Sequence, residues 1–294
     1  MSIQVGQVAS VKRTFTQSDF DRFAALSGDD NPIHVDLRFA ARTKFGRTVA
    51  HGMFLYSVMC GVLSSHLPGP GVMQIEQELM FPSATLAGEE VDIRVEVTGI
   101  QPAEGLIDLA TLVLHPDGTP GLQGRTRVRL PHPSTLLRTG FPIPNTQYPN
   151  GATSIPFKGM KPGQRATTHR TFTAADLAEY ANLTGDHNPL YVKPKYAQKL
   201  GLDGALVPGG LLGGLFSYLL GTELPGRGTN YLKQWLYFPV PATVDRELTA
   251  SVEIIRIRPE KELVNLSSVC TDSAENVVCY GEALVLVSDV ERAA

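Results

Sequence analysis

Leu26-Ser27-Gly28-Asp29-Asp30-Asn31-Pro32-Ile33-His34-Val35-Asp36 returns later in the chain as Leu183-Thr184-Gly185-Asp186-His187-Asn188-Pro189-Leu190-Tyr191-Val192, and that return decides the architecture. Both copies keep the Asp and a rigid Asn-Pro corner. Only the first keeps an imidazole five residues after the carboxylate, because Tyr191 stands where the first copy has His34. One copy is equipped for acid–base chemistry and the other is disarmed.

Aligning Asp29 with Asp186 sets an offset of 186 − 29 = 157. It holds without a gap upstream, at Arg13/Arg170, Phe15/Phe172, Thr16/Thr173 and Asp19/Asp176. It holds downstream as well, at Gly52/Gly209, Pro68/Pro225, Gly71/Gly228, Gln77/Gln234, Phe81/Phe238 and Pro82/Pro239. The chain is an internal duplication, with one repeat over residues 1–130 and a second over 164–294. Between them, residues 131–163 carry seven prolines, which sustain neither a helix nor a central strand. A linker this rich in proline is stiff and is expected to lie along the surface, fixing one half against the other.

Each half has the same layout. Thr16 and Thr173 are N-cap candidates, each followed three residues on by an Asp, and open a short helix. The Gly-Asp-x-Asn-Pro loop follows, then a short helix capped by Asp36 in the first half, then a longer apolar helix from near His51 or Pro208. Val91-Asp92-Ile93-Arg94-Val95-Glu96-Val97 and Leu248-Thr249-Ala250-Ser251-Val252-Glu253-Ile254 alternate as half-buried antiparallel strands do. More strands follow with no helical pattern between them. The expectation is an α+β fold in which each antiparallel sheet wraps a central helix.

Composition excludes several classes. With 26 basic against 29 acidic residues the net charge is −3, and no basic run offers a nucleic-acid partner. Cys60, Cys270 and Cys279 show neither disulfide nor zinc spacing. Gly204 to Gly221 carries no charge over 18 residues, but its glycines point to a core helix and not a membrane span. The N-terminus has no signal-peptide pattern, so the expected compartment is cytoplasmic. No Gly-x-Ser-x-Gly elbow, dinucleotide fingerprint or P-loop occurs. Neither cofactor nor metal is expected.

The Gly28-Asp29-x-Asn31-Pro32-x-His34-x-Asp36 motif with Ala50-His51-Gly52-Met53 downstream resembles the MaoC-like family of (R)-specific enoyl-CoA hydratases and 3-hydroxyacyl thioester dehydratases. The resemblance covers both halves and implies a fused double hot dog, similar to hydratase 2. It implies an acyl-CoA or acyl-carrier-protein thioester as substrate, and Asp29, His34 and Gly52 as catalytic groups. Asp29 is expected to be the base toward water, with His34 orienting it and shuttling the proton, and the Gly52 N–H polarising the thioester carbonyl. Asn31 is expected to shape the loop, and His51 and Met53 to lie near the substrate. Gly209, Gly210 and Gly213 of the disarmed half are expected to leave room for an acyl tail, favouring medium or longer chains. A homodimer of fused units is compatible with this reading. A hot-dog thioesterase and a non-catalytic acyl-thioester-binding subunit are the alternatives.

Overall fold

A computed structural model describes residues 3–131 and 156–290. Most of the proline-rich linker, and with it the expectation that it runs along the surface, lies outside the described residues.

The first half runs β1 (Val8–Thr14), α1 (Gln17–Ser27), α2 (Pro32–Val35), α3 (Leu37–Ala40), α4 (Gly52–Ser65), β2 (Met73–Met80), β3 (Glu90–Gln101), β4 (Leu106–Leu114) and β5 (Pro120–Arg129). The second repeats it as β6 (Arg165–Thr171), α5 (Ala174–Thr184), α6 (Pro189–Val192), α7 (Pro194–Lys199), α8 (Gly209–Tyr218), β7 (Asn230–Tyr237), β8 (Glu247–Arg258), β9 (Leu263–Asp272) and β10 (Val277–Leu286). The expected caps form. Thr16 with Asp19, and Thr173 with Asp176, each close a full capping box, a feature contributing about 1 kcal/mol per cap. Asp36 caps α3, accepting from the N–H groups of Arg38 and Phe39.

The strands join into one ten-stranded sheet in the order β1-β3-β4-β5-β2-β7-β10-β9-β8-β6, antiparallel at every pairing. The two repeats meet at β2 and β7, where Glu78 pairs with Trp235. Since 78 + 157 = 235, that pair marks the local two-fold axis relating the halves. The alternation read in β3 is real: Val91, Ile93, Val95 and Val97 are buried while their neighbours are not.

Helices α4 and α8 lie inside the sheet and pack on each other. α4 is buried from Met53 to Ser64 and α8 from Gly209 to Ser217. Burying one large apolar side chain contributes roughly 1.5–3 kcal/mol, so Phe54, Leu55, Met59 and Phe216 make this helix pair the centre of the core. Gly204 to Gly221 thus holds a core helix, and among the described residues no helix is long and apolar enough to cross a membrane.

Further contacts tie the halves together. The Arg13 guanidinium donates to the Leu183 carbonyl at 2.7 Å. On neighbouring helices α1 and α5, Arg22 and Glu179 form an ion pair at 2.6 Å, and they are equivalent positions, since 22 + 157 = 179.

Candidate active site

Asp29 sits where α1 ends. Gly28 takes φ +83°, the left-handed C-cap that turns the chain out of the helix. Asn31 then caps α2, its side-chain oxygen accepting the Ile33 N–H at 3.3 Å, with Pro32 preset for the first turn. This short helix brings His34 back beside Asp29. A carboxylate oxygen of Asp29 and one ring nitrogen each of His34 and His51 lie within 4.8 Å of one another.

His34 Nδ1 is 2.6 Å from the Val49 carbonyl oxygen. A carbonyl only accepts, so Nδ1 carries the hydrogen and Nε2 keeps its lone pair. Burial holds the His34 pKa below the ordinary imidazole value, against the opposing pull of Asp29 and the Val49 bond. The ring is therefore neutral at pH 7 and available as a proton acceptor. Beneath it, His51 stacks at 3.8 Å between centroids and donates from Nε2 to the Asp29 carbonyl at 2.8 Å. Burial, reinforced by His34, holds His51 well below the ordinary value.

Asp29 is buried, and its two oxygens have different partners. Oδ2 accepts from the Ser217 hydroxyl at 2.6 Å. Among the described residues, Oδ1 accepts only a long bond, 3.4 Å, from the Asn31 N–H. Ser217 belongs to α8, so the disarmed half reaches across to hold the carboxylate of the other.

Gly52 opens α4. Its N–H has no partner within the helix, and none among the described residues outside it. The macrodipole adds positive potential at that point. A Cβ at position 52 would lie 2.8 Å from the Phe81 ring, so a larger residue there would have to displace that ring.

Asp29, Asn31, His34 and Gly52 share the wall of one cavity of about 750 Å³. Leu55 and Phe81 line it from the first half, and Ser217, Leu220, Gly221 and Tyr231 from the second. Arg42 and Lys44, both exposed, stand at its rim. The Tyr231 hydroxyl donates to the Gln234 side chain, and its ring lies 5.5 Å from that of Phe81.

Asp29, His34 and His51 are close enough to suggest a cation site. One nitrogen of each imidazole bonds a backbone carbonyl, which leaves the other as a lone pair. The two rings stack 26° from parallel. Two neutral imidazoles beside a carboxylate are also the groups that acid–base work uses.

Several anticipated residues are elsewhere. His51 and Met53 are wholly buried and are absent from the cavity wall. Gly209, Gly210 and Gly213 also lie off it, and the expectation that they open space for an acyl tail is corrected by what fills that space. A Cβ at Gly213 would meet Met53 Sδ at 2.7 Å, and one at Gly210 would collide with the Ser57 and Tyr180 hydroxyls. A Cβ at Gly209 would meet Gln74 at 2.5 Å. These glycines let the central helices approach each other. Ser217, Gly221 and Tyr231 join the wall with no sign in the motif, since Cys60/Ser217 and Ser64/Gly221 are only two of many mismatches between the central helices of the two repeats.

The equivalent place in the second half is nearly filled. A residual cavity of only about 40 Å³ remains beside Gln74, Leu190 and Tyr191. Asp186 accepts from the Ser64 hydroxyl at 2.5 Å, and burial pushes its pKa up to about 6. Burial likewise raises the Tyr191 pKa well above the ordinary phenol value, so it is no proton acceptor at pH 7.

Among known proteins, the family model described as "MaoC like domain" matches residues 2–117 and again 157–272. The (R)-specific enoyl-CoA hydratase of Aeromonas caviae is 38% identical over 130 residues, which is 44% of this chain and 97% of that protein. The 3-hydroxybutyryl-CoA dehydratase of Methylorubrum extorquens is 40% identical over 100 residues, 34% of this chain and 64% of that protein. Of solved structures, a MaoC-like dehydratase superposes with TM-score 0.74 at 19% identity, covering 96% of this chain and 98% of its own. A conserved hypothetical protein of Mycobacterium tuberculosis, described as having a double hotdog fold, superposes with TM-score 0.72 at 15% identity, covering 97% and 96%. The sheet and its two central helices are that double hot dog.

Proposed function

Because the chain belongs to the MaoC-like domain family, we propose that it is an (R)-specific enoyl-CoA hydratase and 3-hydroxyacyl-thioester dehydratase, a hydro-lyase that reversibly adds water to trans-2-enoyl thioesters. The observation that carries this reading is one cavity wall holding an ionisable carboxylate, a neutral imidazole with a free lone pair, and an unpaired helix-start N–H.

A water placed between Asp29 Oδ1 and His34 Nε2 would give one hydrogen bond to each acceptor, in keeping with a carboxylate oxygen and a ring nitrogen of the two residues within 4.8 Å of each other. As its oxygen attacks C3, the proton toward His34 passes to Nε2. The C2=C3 electrons move onto the thioester oxygen, where the Gly52 N–H receives the charge. The imidazolium then returns its proton to C2 and the carbonyl re-forms. Asp29 orients the water and steadies the transient imidazolium. This reading exchanges the roles expected from the motif, and the Nδ1–Val49 contact supports it by leaving Nε2 as an acceptor.

Coenzyme A is the carrier proposed, on the strength of Arg42 and Lys44 at the rim, where they would meet its phosphates. The setting proposed is cytoplasmic fatty-acyl metabolism. The test is loss of the conjugated enoyl-thioester absorbance with crotonyl-CoA, using wild type, Asp29→Asn and His34→Ala. Turnover by wild type that falls about 10²–10⁴-fold in both variants is expected; hydrolysis to free CoA, or turnover that survives both, would defeat the reading.

A further inference from the structure

Positions 221 and 64 are equivalent, since 64 + 157 = 221, and each faces the motif Asp of the opposite half. Ser64, from α4, places its hydroxyl 2.5 Å from Asp186 Oδ1. Gly221 lies in the π-helical turn Leu219–Glu223 that continues α8, and a Cβ built there would come 3.1 Å from Asp29 Oδ1 and 3.2 Å from Asn31 Nδ2. A residue at this helix position therefore reaches the same oxygen of the same motif Asp in both halves. In one half that oxygen is capped. In the other, among the described residues, it keeps only the long Asn31 contact, and Asp29 and Gly221 both line the open cavity.

We propose that Gly221 is a determinant of activity: by leaving Asp29 Oδ1 uncapped it keeps open the place where the reacting water binds, and Ser64 is one of the changes that silenced the second site. The inference rests on the hydratase reading above. It makes the disarmed half a working part of the active site, with Ser217 pinning one oxygen of Asp29 and Gly221 exposing the other. A serine at 221 would supply the hydroxyl that the water otherwise provides, so the water would be displaced and the carboxylate would lose its reactant without losing its charge. Such a loss acts on turnover more than on thioester binding, because the carrier and the tail touch other parts of the wall.

The experiment compares wild type, Asp29→Asn, Gly221→Ala and Gly221→Ser on crotonyl-CoA, with thermal midpoints recorded for each. The expected result is a fall in kcat of about 100-fold or more for Gly221→Ser, with KM within about threefold, and a much smaller fall for Gly221→Ala, which adds bulk but no hydroxyl. Gly221→Ser within about threefold of wild type, or Gly221→Ala falling as far as Gly221→Ser, overturns the inference while leaving the hydratase reading intact if Asp29→Asn is inactive. A wild type inactive on enoyl thioesters overturns both. Should Gly221→Ser fail to fold, Gly221→Ser with Ser217→Ala keeps one hydroxyl on Asp29 but moves it from Oδ2 to Oδ1. That pair is expected to be inactive, and activity close to that of Ser217→Ala alone overturns the inference.

Discussion

Replacing Asp186 by Asn should shift stability in the variant's favour as pH rises. The Asp186 carboxyl is buried, and its pKa rises from the ordinary 3.8 to about 6. Below pH 3.8 the folded and unfolded chains are both protonated and the burial costs nothing. Between 3.8 and 6 the unfolded chain ionises while the fold still holds its proton, so stability is lost as pH rises; above 6 the full penalty applies. At 1.36 kcal/mol per pH unit that penalty is about 3 kcal/mol, on the order of 1 kcal/mol of it already present at about pH 4.5. The amide of the Asp186→Asn variant does not ionise but keeps an oxygen to accept from Ser64 and the Asn188 N–H. Its amide hydrogens add a cost of about 1–3 kcal/mol if they stay unpaired, but that cost is the same at every pH. The decisive quantity is therefore the widening of the difference between variant and wild type, by about 2 kcal/mol from pH 4.5 to pH 8, or several degrees in thermal midpoint. Urea unfolding at the two pH values measures it. A difference that stays constant with pH would refute the reasoning. Hydratase turnover should remain within about twofold, in contrast with Asp29→Asn.

The lowered His34 pKa places the acid limb of kcat/KM below pH 6.5, because only the neutral ring accepts the water's proton; a limb above 6.5 in the pH–rate profile would contradict that role. Gly213→Leu should cost about 1–3 kcal/mol by overpacking against Met53 and leave the ratio of decenoyl- to crotonyl-CoA turnover unchanged, as comparative kinetics on the folded variant will tell. Substituting Arg42 and Lys44 together by Ala should raise KM for crotonyl-CoA several-fold and leave the crotonyl-pantetheine KM unaltered, and equal effects on both substrates would remove the phosphate role.

The parts legible in the sequence were those written in local chemistry. Thr16 and Asp19 announce a capping box, Asp36 a helix start, and the alternation of Val91 to Val97 a strand with one face inward. The Asp29 to His34 spacing likewise told which side chains meet, because Gly28, Asn31 and Pro32 determine the turn by themselves. What escaped is tertiary. Ser217 and Gly221 reach Asp29 only because α8 of one repeat crosses to the motif of the other, and no local pattern encodes that approach. The glycines of α8 suggest space when seen as sequence, whereas buried glycine more often marks where another element comes close, as Met53 and Ser57 do here. Arg42 and Lys44 are too few to make a basic run, yet two cations suffice at the edge of a pocket.

The Arg22–Glu179 pair across the local axis has an evolutionary consequence. Its side chains are 40% and 39% exposed, so as an ion pair it contributes roughly a few tenths of a kcal/mol. Its larger effect is on choice of partner. In a symmetric dimer of single repeats, a residue near the axis faces its own copy, and no single amino acid is its own countercharge. Fusion released this position from that constraint and let one site acquire opposite signs in its two copies. Separated repeats would carry the difference with them: first repeats paired together would set arginine against arginine, second repeats glutamate against glutamate, and only the mixed pair would be neutral. The duplicated chain thus encodes a preference for unlike over like that a homodimeric ancestor could not have expressed at this position.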